Sequence, residues 1–205
     1  MSIHIKLIKN KPVDSNCYVI SRDEDKNCII IDPGDKEGEQ LIGYLNGGGF
    51  IPVFIIVTHE HFDHIWAINK LKGIFKVNLI CSQYCSEKII SSKGNLSVFY
   101  DQVGFSAFPA DILVEEINYT LKWDDHLIKF ISTPGHTGGC ICVEIENNLF
   151  TGDFMIKGAK TNTKFPGGDA AILHSSFSSM KLLYQDKNIQ VFPGHGEPFY
   201  FHELQ

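Results

Sequence analysis

The strongest constraint in this sequence is a junction where a buried strand gives way to a helix. Val53-Phe54-Ile55-Ile56-Val57 is a continuous apolar run, the pattern of a strand buried on both faces of a sheet. Thr58-His59-Glu60-His61-Phe62-Asp63-His64 comes directly after it, and residues 65–71 read as a helix. Three histidines and one aspartate within six residues put four metal-type donors in one strand-to-helix turn. His59 and His61 project to one side, while Asp63 and His64 turn over as the helix begins. That spacing suits two adjacent cations, with a pair of imidazoles for one and a carboxylate plus an imidazole for the other.

Three later segments repeat the grammar of a strand ending in a glycine-rich turn with one donor residue. They are Pro134-Gly135-His136-Thr137-Gly138-Gly139, Thr151-Gly152-Asp153 and Pro193-Gly194-His195-Gly196. Glycine lets a backbone turn sharply and approach a shared centre. Each segment alone is only a turn. Together with the first they supply five histidines and two aspartates.

The remaining pattern places these turns in a layered α/β domain spanning residues 1–205. Residues 3–8 alternate apolar and polar like a half-buried strand. Strands are expected at 17–20, 28–31, 77–81, 127–131, 140–145, 149–151 and 189–192, with the polar residues 21–27 as a turn. Helices are expected at 37–45, ended by Gly47-Gly48-Gly49, at 82–90 and at 170–184. Residues 91–118 read as a loop-rich excursion.

Charge and composition exclude several functions. The net charge is −6, and Arg22 is the single arginine among 18 basic residues, so bidentate recognition of phosphate or guanine is nearly absent. No nucleic-acid partner is expected. No apolar run approaches the roughly 18–20 residues of a membrane span, and the amino terminus has no signal-peptide core. A cytoplasmic protein with no membrane partner is expected, its six cysteines read as buried thiols rather than a zinc site.

The ordered set His59-x-His61-x-Asp63-His64, His136, Asp153, His195 resembles the metallo-β-lactamase superfamily, and within it the small glyoxalase II-like hydrolases. Asn16-Cys17-Tyr18, Asp32-Pro33-Gly34 and Phe165-Pro166-Gly167-Gly168-Asp169 match the same pattern. The resemblance implies a four-layer αβ/βα sandwich. It also implies one metal held by His59, His61 and His136, a second held by Asp63, His64 and His195, and Asp153 bridging both. The carboxylates Asp63 and Asp153 take catalytic as well as ligating roles, and Asp32 accepts a hydrogen bond that orients a ligand imidazole. Two divalent ions about 3.5–4 Å apart can supply a bridging hydroxide as nucleophile at neutral pH and polarise an acyl carbonyl. The substrate is then a small-molecule thioester or related acyl compound. Zinc suits these donors first, and iron or manganese also fit.

Departures from the family bear on substrate. Ile65-Trp66-Ala67 replaces two small residues after the Asp-His pair, and Thr161-Asn162-Thr163-Lys164 replaces a common Gly-Arg-Thr-Asp. Nine residues follow Gly196, so the helical carboxy-terminal domain that binds glutathione in full-length glyoxalase II enzymes is expected to be lacking. The loop after Asp153 carries Lys157, Lys160 and Lys164 with no acidic residue among them, a local reversal of sign that would draw in an anionic acyl donor. A mononuclear iron persulfide dioxygenase using His59, His136 and Asp153 is the alternative within the superfamily. A nuclease is disfavoured by the low arginine content. A β-lactamase is disfavoured by His64 and by the absence of an export signal. His4, His126 and His202 read as structural, without donor partners, and His174 as a helix-start residue. The aromatic groups Phe99-Tyr100, Phe105, Phe108 and Phe199-Tyr200-Phe201 read as packing.

Overall fold

Parallel register is what gathers the donor turns. The computed structural model describes residues 2–23, 25–114 and 119–204. These fall into two compact units, Met1–Leu113 and Val114–Gln205. The elements of the first are β1 (Ile3–Lys9), β2 (Asn16–Arg22), β3 (Asp25–Ile31), α1 (Glu39–Gly48), β4 (Ile51–Ile56), α2 (Phe62–Ile65), α3 (Ile68–Ile74), β5 (Asn78–Ser82), α4 (Gln83–Ile89), α5 (Ser97–Asp101) and β6 (Ile112–Val114), whose last residue is the first of the second unit. Its six strands lie in the order β1-β2-β3-β4-β5-β6. β4 runs parallel to both β3 and β5. Ile55, Ile56 and Val57 are fully buried there, as a continuous apolar strand between two neighbours requires.

The second unit contains β7 (Tyr119–Trp123), β8 (His126–Ser132), β9 (Ile141–Ile145), β10 (Asn148–Gly152), α6 (Ala170–Tyr184), β11 (Gln190–Pro193) and β12 (Phe199–Tyr200), with a 3-10 turn at Phe201–Glu203. Its sheet order is β12-β11-β10-β9-β8-β7. β8 and β10 are each antiparallel to β9, and β11 is parallel to β10. Hence β8, β10 and β11 point the same way, and the turns bearing His136, Asp153 and His195 leave one edge of the sheet. α6 spans the predicted 170–184, because Asp169 caps it by accepting from Ala171 N at 2.8 Å and Ile172 N at 3.0 Å. Ser176 Oγ donates to Pro134 O at 2.7 Å, and Asp169 N donates to Gly135 O at 2.9 Å. The helix therefore holds the His136 turn. A Cβ on Gly135 would stand 2.3 Å from Leu173 Cα, so this approach requires glycine. At its far end Tyr184 Oη donates to Glu144 Oε2 at 2.6 Å.

Several expectations need correction. The polar turn at 21–27 is far shorter, since β2 runs to Arg22 and β3 starts at Asp25. Its Glu24 lies outside the described residues. The glycines do not simply end α1: the helix runs through Gly48, and Gly49 takes the left-handed cap. The single helix at 65–71 is two short ones, broken because Ala67 N donates to Pro33 O at 2.9 Å. The excursion at 91–118 contains α5 and β6, and its residues 115–118 lie outside the described residues. β7 and β12 were absent from the expected strands.

All six cysteines are buried and reduced. Burial pushes the Cys17 and Cys85 thiols well up, and those of Cys28 and Cys142 to about 12. Native protein titrated with Ellman's reagent at pH 8 should therefore show no rapidly reacting thiol, and six after denaturation. A fast-reacting thiol in the folded protein would contradict the core assignment.

Candidate metal centre

In the first unit the β3–β4 register sets Ile31 against Ile56, so the residues just beyond each strand lie side by side. Asp32 N donates to Ile56 O at 3.0 Å, and the Asp32 backbone takes a left-handed φ of 53° as the chain turns away. Its carboxylate then receives three donors. Thr58 N donates to Oδ1 at 2.8 Å, Thr58 Oγ1 donates to Oδ2 at 2.7 Å, and His64 Nδ1 lies 3.0 Å from Oδ2. An ionised carboxylate only accepts, so His64 Nδ1 carries the proton and Nε2 the lone pair. The Thr58 hydroxyl has given its hydrogen to Asp32 and so accepts from His59 Nδ1 at 3.1 Å, which leaves His59 Nε2 as a lone pair too.

The other donors of this turn crowd the same space. His59 Nε2 faces His61 Nδ1 at 3.1 Å, and the His59 and His64 ring centroids are 4.2 Å apart. His64 Nε2 stands 3.6 Å from Asp63 Oδ2. His59 and His64 are fully buried, and His61 and Asp63 nearly so. The four predicted residues of the turn lie close together.

In the second unit β10 ends at Gly152 opposite Pro193 of β11, and Gly194 N donates to Gly152 O at 2.7 Å. Asp153 and His195 thus emerge side by side. Asp153 Oδ2 lies 3.5 Å from His195 Nε2 and 3.8 Å from His136 Nε2. His136 Nδ1 donates to the backbone oxygen of Asn162 at 2.7 Å, which again leaves Nε2 as the lone pair. Thr161 Oγ1 donates to the Asp153 and Phe154 carbonyls at 3.2 and 3.0 Å. The three predicted donors of this unit also meet.

The donor chemistry fits divalent ions. Two N/O ligands of one tetrahedral ion, each about 2.0–2.2 Å from it, stand roughly 3.3–3.6 Å apart. The separations of 3.1, 3.5, 3.6 and 3.8 Å lie around that value. In all but the first they exceed a normal hydrogen bond.

The hydrogen bond expected between Asp32 and an imidazole is present, to His64, whereas the reading of the sequence does not include Thr58 or the Asn162 carbonyl. Thr58 is adjacent to the signature and could have been read. A backbone oxygen leaves no trace in residue type. His4 and His126 do have acidic partners, contrary to expectation: His4 bonds Asp23, and buried His126 lies 3.1 Å from Glu146. His202 stacks on Tyr200, and His174 is exposed on α6. Trp66 packs on Phe62, Tyr100 and Phe105, with Lys36 Nζ 4.7 Å from its ring centroid.

Fold and donor chemistry together define a metal-dependent hydrolase class with His/Asp sites. A family model described as Metallo-beta-lactamase superfamily matches residues 10–195, and the chain belongs to that superfamily. It is 33% identical over 196 residues to hydroxyacylglutathione hydrolase GloC of Haemophilus influenzae, covering 95% of this chain and 91% of that protein. It is 29% identical to YqgX of Bacillus subtilis, described as a probable metallo-hydrolase, over 90% of this chain and 86% of the other. Among solved structures, BLEG-1 B3 metallo-beta-lactamase matches with a TM-score of 0.89 at 28% identity, covering 98% of this chain and 95% of that one. The expected αβ/βα class, two mixed sheets with flanking helices, is the fold of this family.

Thr58→Val removes the acceptor for His59 Nδ1 while keeping the side-chain shape. Metal affinity, measured by competition with a chromophoric chelator, should weaken about 10–100-fold. Unchanged affinity would mean that His59 is oriented without the hydroxyl.

Proposed function

We propose that this chain is a dinuclear metal hydrolase of thioesters or related acyl bonds, glyoxalase II-like in chemistry. In this reading, which follows from membership of the superfamily, one ion would take His59, His61 and His136, the second would take Asp63, His64 and His195, and Asp153 would serve both. The observation that carries it is orientation: His59, His64 and His136 each have Nδ1 committed to a fixed acceptor, which presents Nε2 for coordination. When bound, the ions would polarise the acyl carbonyl and make water a competent nucleophile at neutral pH. Zinc is the first candidate, with iron or manganese compatible with the same donors.

The chain's own residues do the rest. Asp32 stays acceptor-only, which keeps His64 in one tautomer. The Asp153 carboxylate, set between two imidazoles, would supply negative charge to offset the repulsion between two bound cations. The 33% identity to a protein described as a hydroxyacylglutathione hydrolase supports an acyl-thioester substrate. The reading includes a small-molecule substrate in the cytoplasm and neither a membrane nor a nucleic-acid partner. Among the described residues no helix is long and apolar enough to cross a membrane. Likeness to BLEG-1 weighs against excluding a lactam on sequence grounds, so a lactam belongs among the substrates assayed.

The test is metal content by elemental analysis together with turnover of a hydroxyacylglutathione thioester, a second thioester, a β-lactam and a persulfide under oxygen. Two ions per chain are expected, with thioester hydrolysis lost on chelation and restored by metal. One iron per chain with oxygen uptake on the persulfide would overturn the reading in favour of the dioxygenase. Lactam turnover exceeding that of both thioesters would overturn the substrate class.

Substrate charge yields a second outcome. Lys157 bonds Glu203 at 2.5 Å, and this ammonium group holds the Glu203 carboxyl below its usual range, so one of the three lysines expected to attract anions is already paired. Lys160 and Lys164 are exposed and flank Asn162, whose carbonyl fixes His136. They act as point charges rather than as a shaped clamp. The kcat/KM for an anionic thioester should fall between 50 and 300 mM salt (about 14 to 6 Å of screening length), with little change for a neutral one. A Lys160→Ala/Lys164→Ala variant should lose that contrast. An unaltered salt response in this variant would remove the lysines from the account.

A further inference from the structure

The Asp63 carbonyl is withdrawn from its own helix. In a continuous helix it would accept from Ala67 N, but that N–H is spent on Pro33 O at 2.9 Å. The Asp63 oxygen instead accepts from Ser15 Oγ at 2.5 Å and, more weakly, from Asn10 Nδ2 at 3.5 Å. Asn10 Nδ2 also donates to Ser15 Oγ at 2.9 Å and to Asp32 O at 3.1 Å. Asn10 and Ser15 are both buried, and Asn10 N donates to Ser15 O at 2.9 Å, so the pair is a preformed turn. Gly34 completes the cradle: a Cβ there would lie 1.5 Å from Asp63 O.

We infer that Asn10 and Ser15 are positioning residues that set the Asp63–His64 peptide, and with it the second metal site, by clamping the Asp63 carbonyl beside the Asp32 turn. A peptide plane fixed through its oxygen holds both Cα atoms it joins, the points from which the two side chains start. Those two residues are adjacent donors, and the imidazole of the second is held by the Asp32 side chain whose backbone oxygen Asn10 also grips. His59 and His61 precede this peptide. Through Ser15 the clamp bears first on Asp63 and His64. The inference rests on the assignment of Asp63 and His64 as ligands of a second ion.

The experiment compares zinc binding to chelator-stripped wild type, Ser15→Ala and Asp63→Ala, by elemental analysis and calorimetric titration. Each protein's Tm is measured with and without zinc. For Ser15→Ala the expected result is one zinc bound as in wild type and a second bound 10–100-fold more weakly, with a reduced zinc-induced rise in Tm. A purely structural hydroxyl would lower Tm while leaving both affinities intact, and that result overturns the inference. If Asp63→Ala loses the second zinc and Ser15→Ala does not, the inference fails while the ligand assignment stands. If Asp63→Ala keeps both ions at wild-type affinity, the assignment itself is wrong, and the inference falls with it. Should Ser15→Ala fail to fold, Ser15→Cys, which keeps a weak donor of similar size, must show the same selective weakening, and two intact affinities there overturn the inference equally.

Discussion

The Asp32 carboxylate is the point on which the first unit's share of the candidate metal centre depends. It sits where two parallel strands end side by side, and it accepts from a backbone amide, a hydroxyl and an imidazole at once. A buried carboxylate is costly unless its lone pairs are met, and three donors meet them. The same bonds that satisfy Asp32 determine which nitrogen of His64, and through Thr58 which nitrogen of His59, is left for coordination. Stability of the turn and chemistry of the site are therefore one arrangement. Loss of the carboxylate would release two imidazoles together.

The site is legible in the sequence for a related reason. Each predicted donor lies at the carboxyl end of a strand, where glycine and histidine stand out against apolar runs, so the turns at 58–64, 134–139, 151–153 and 193–196 could be read directly. α6 was equally plain, because its cap Asp169 and its apolar period belong to one local segment. The misread features depend on remote partners. The break between α2 and α3 is set by Pro33 O, more than thirty residues away in sequence. The pairing of Lys157 rests on Glu203, and that of His126 on Glu146 across a turn. β12 is two residues long, too short for any alternation to register. Asn10 and Ser15 carry no pattern at all, since a polar residue holding a distant carbonyl has no periodicity.

The two halves of the donor set are oriented by different chemistry, and this has consequences for how each can vary. In the first unit the orienting partner is a carboxylate, and its substitution would remove both charge and geometry. In the second it is the main-chain oxygen of Asn162, available whatever residue stands at that position. Side chains of the 157–164 loop can therefore change without deleting the bond to His136, provided the backbone path is kept. The Thr161 side chain secures that path by donating to the main-chain carbonyls of Asp153 and Phe154, tying the loop to the backbone of the residue whose carboxylate lies between His136 and His195. The departures at Asn162 and Lys164, where the resemblance leads one to expect Arg and Asp, fall on this segment, where composition can shift without the imidazole being released.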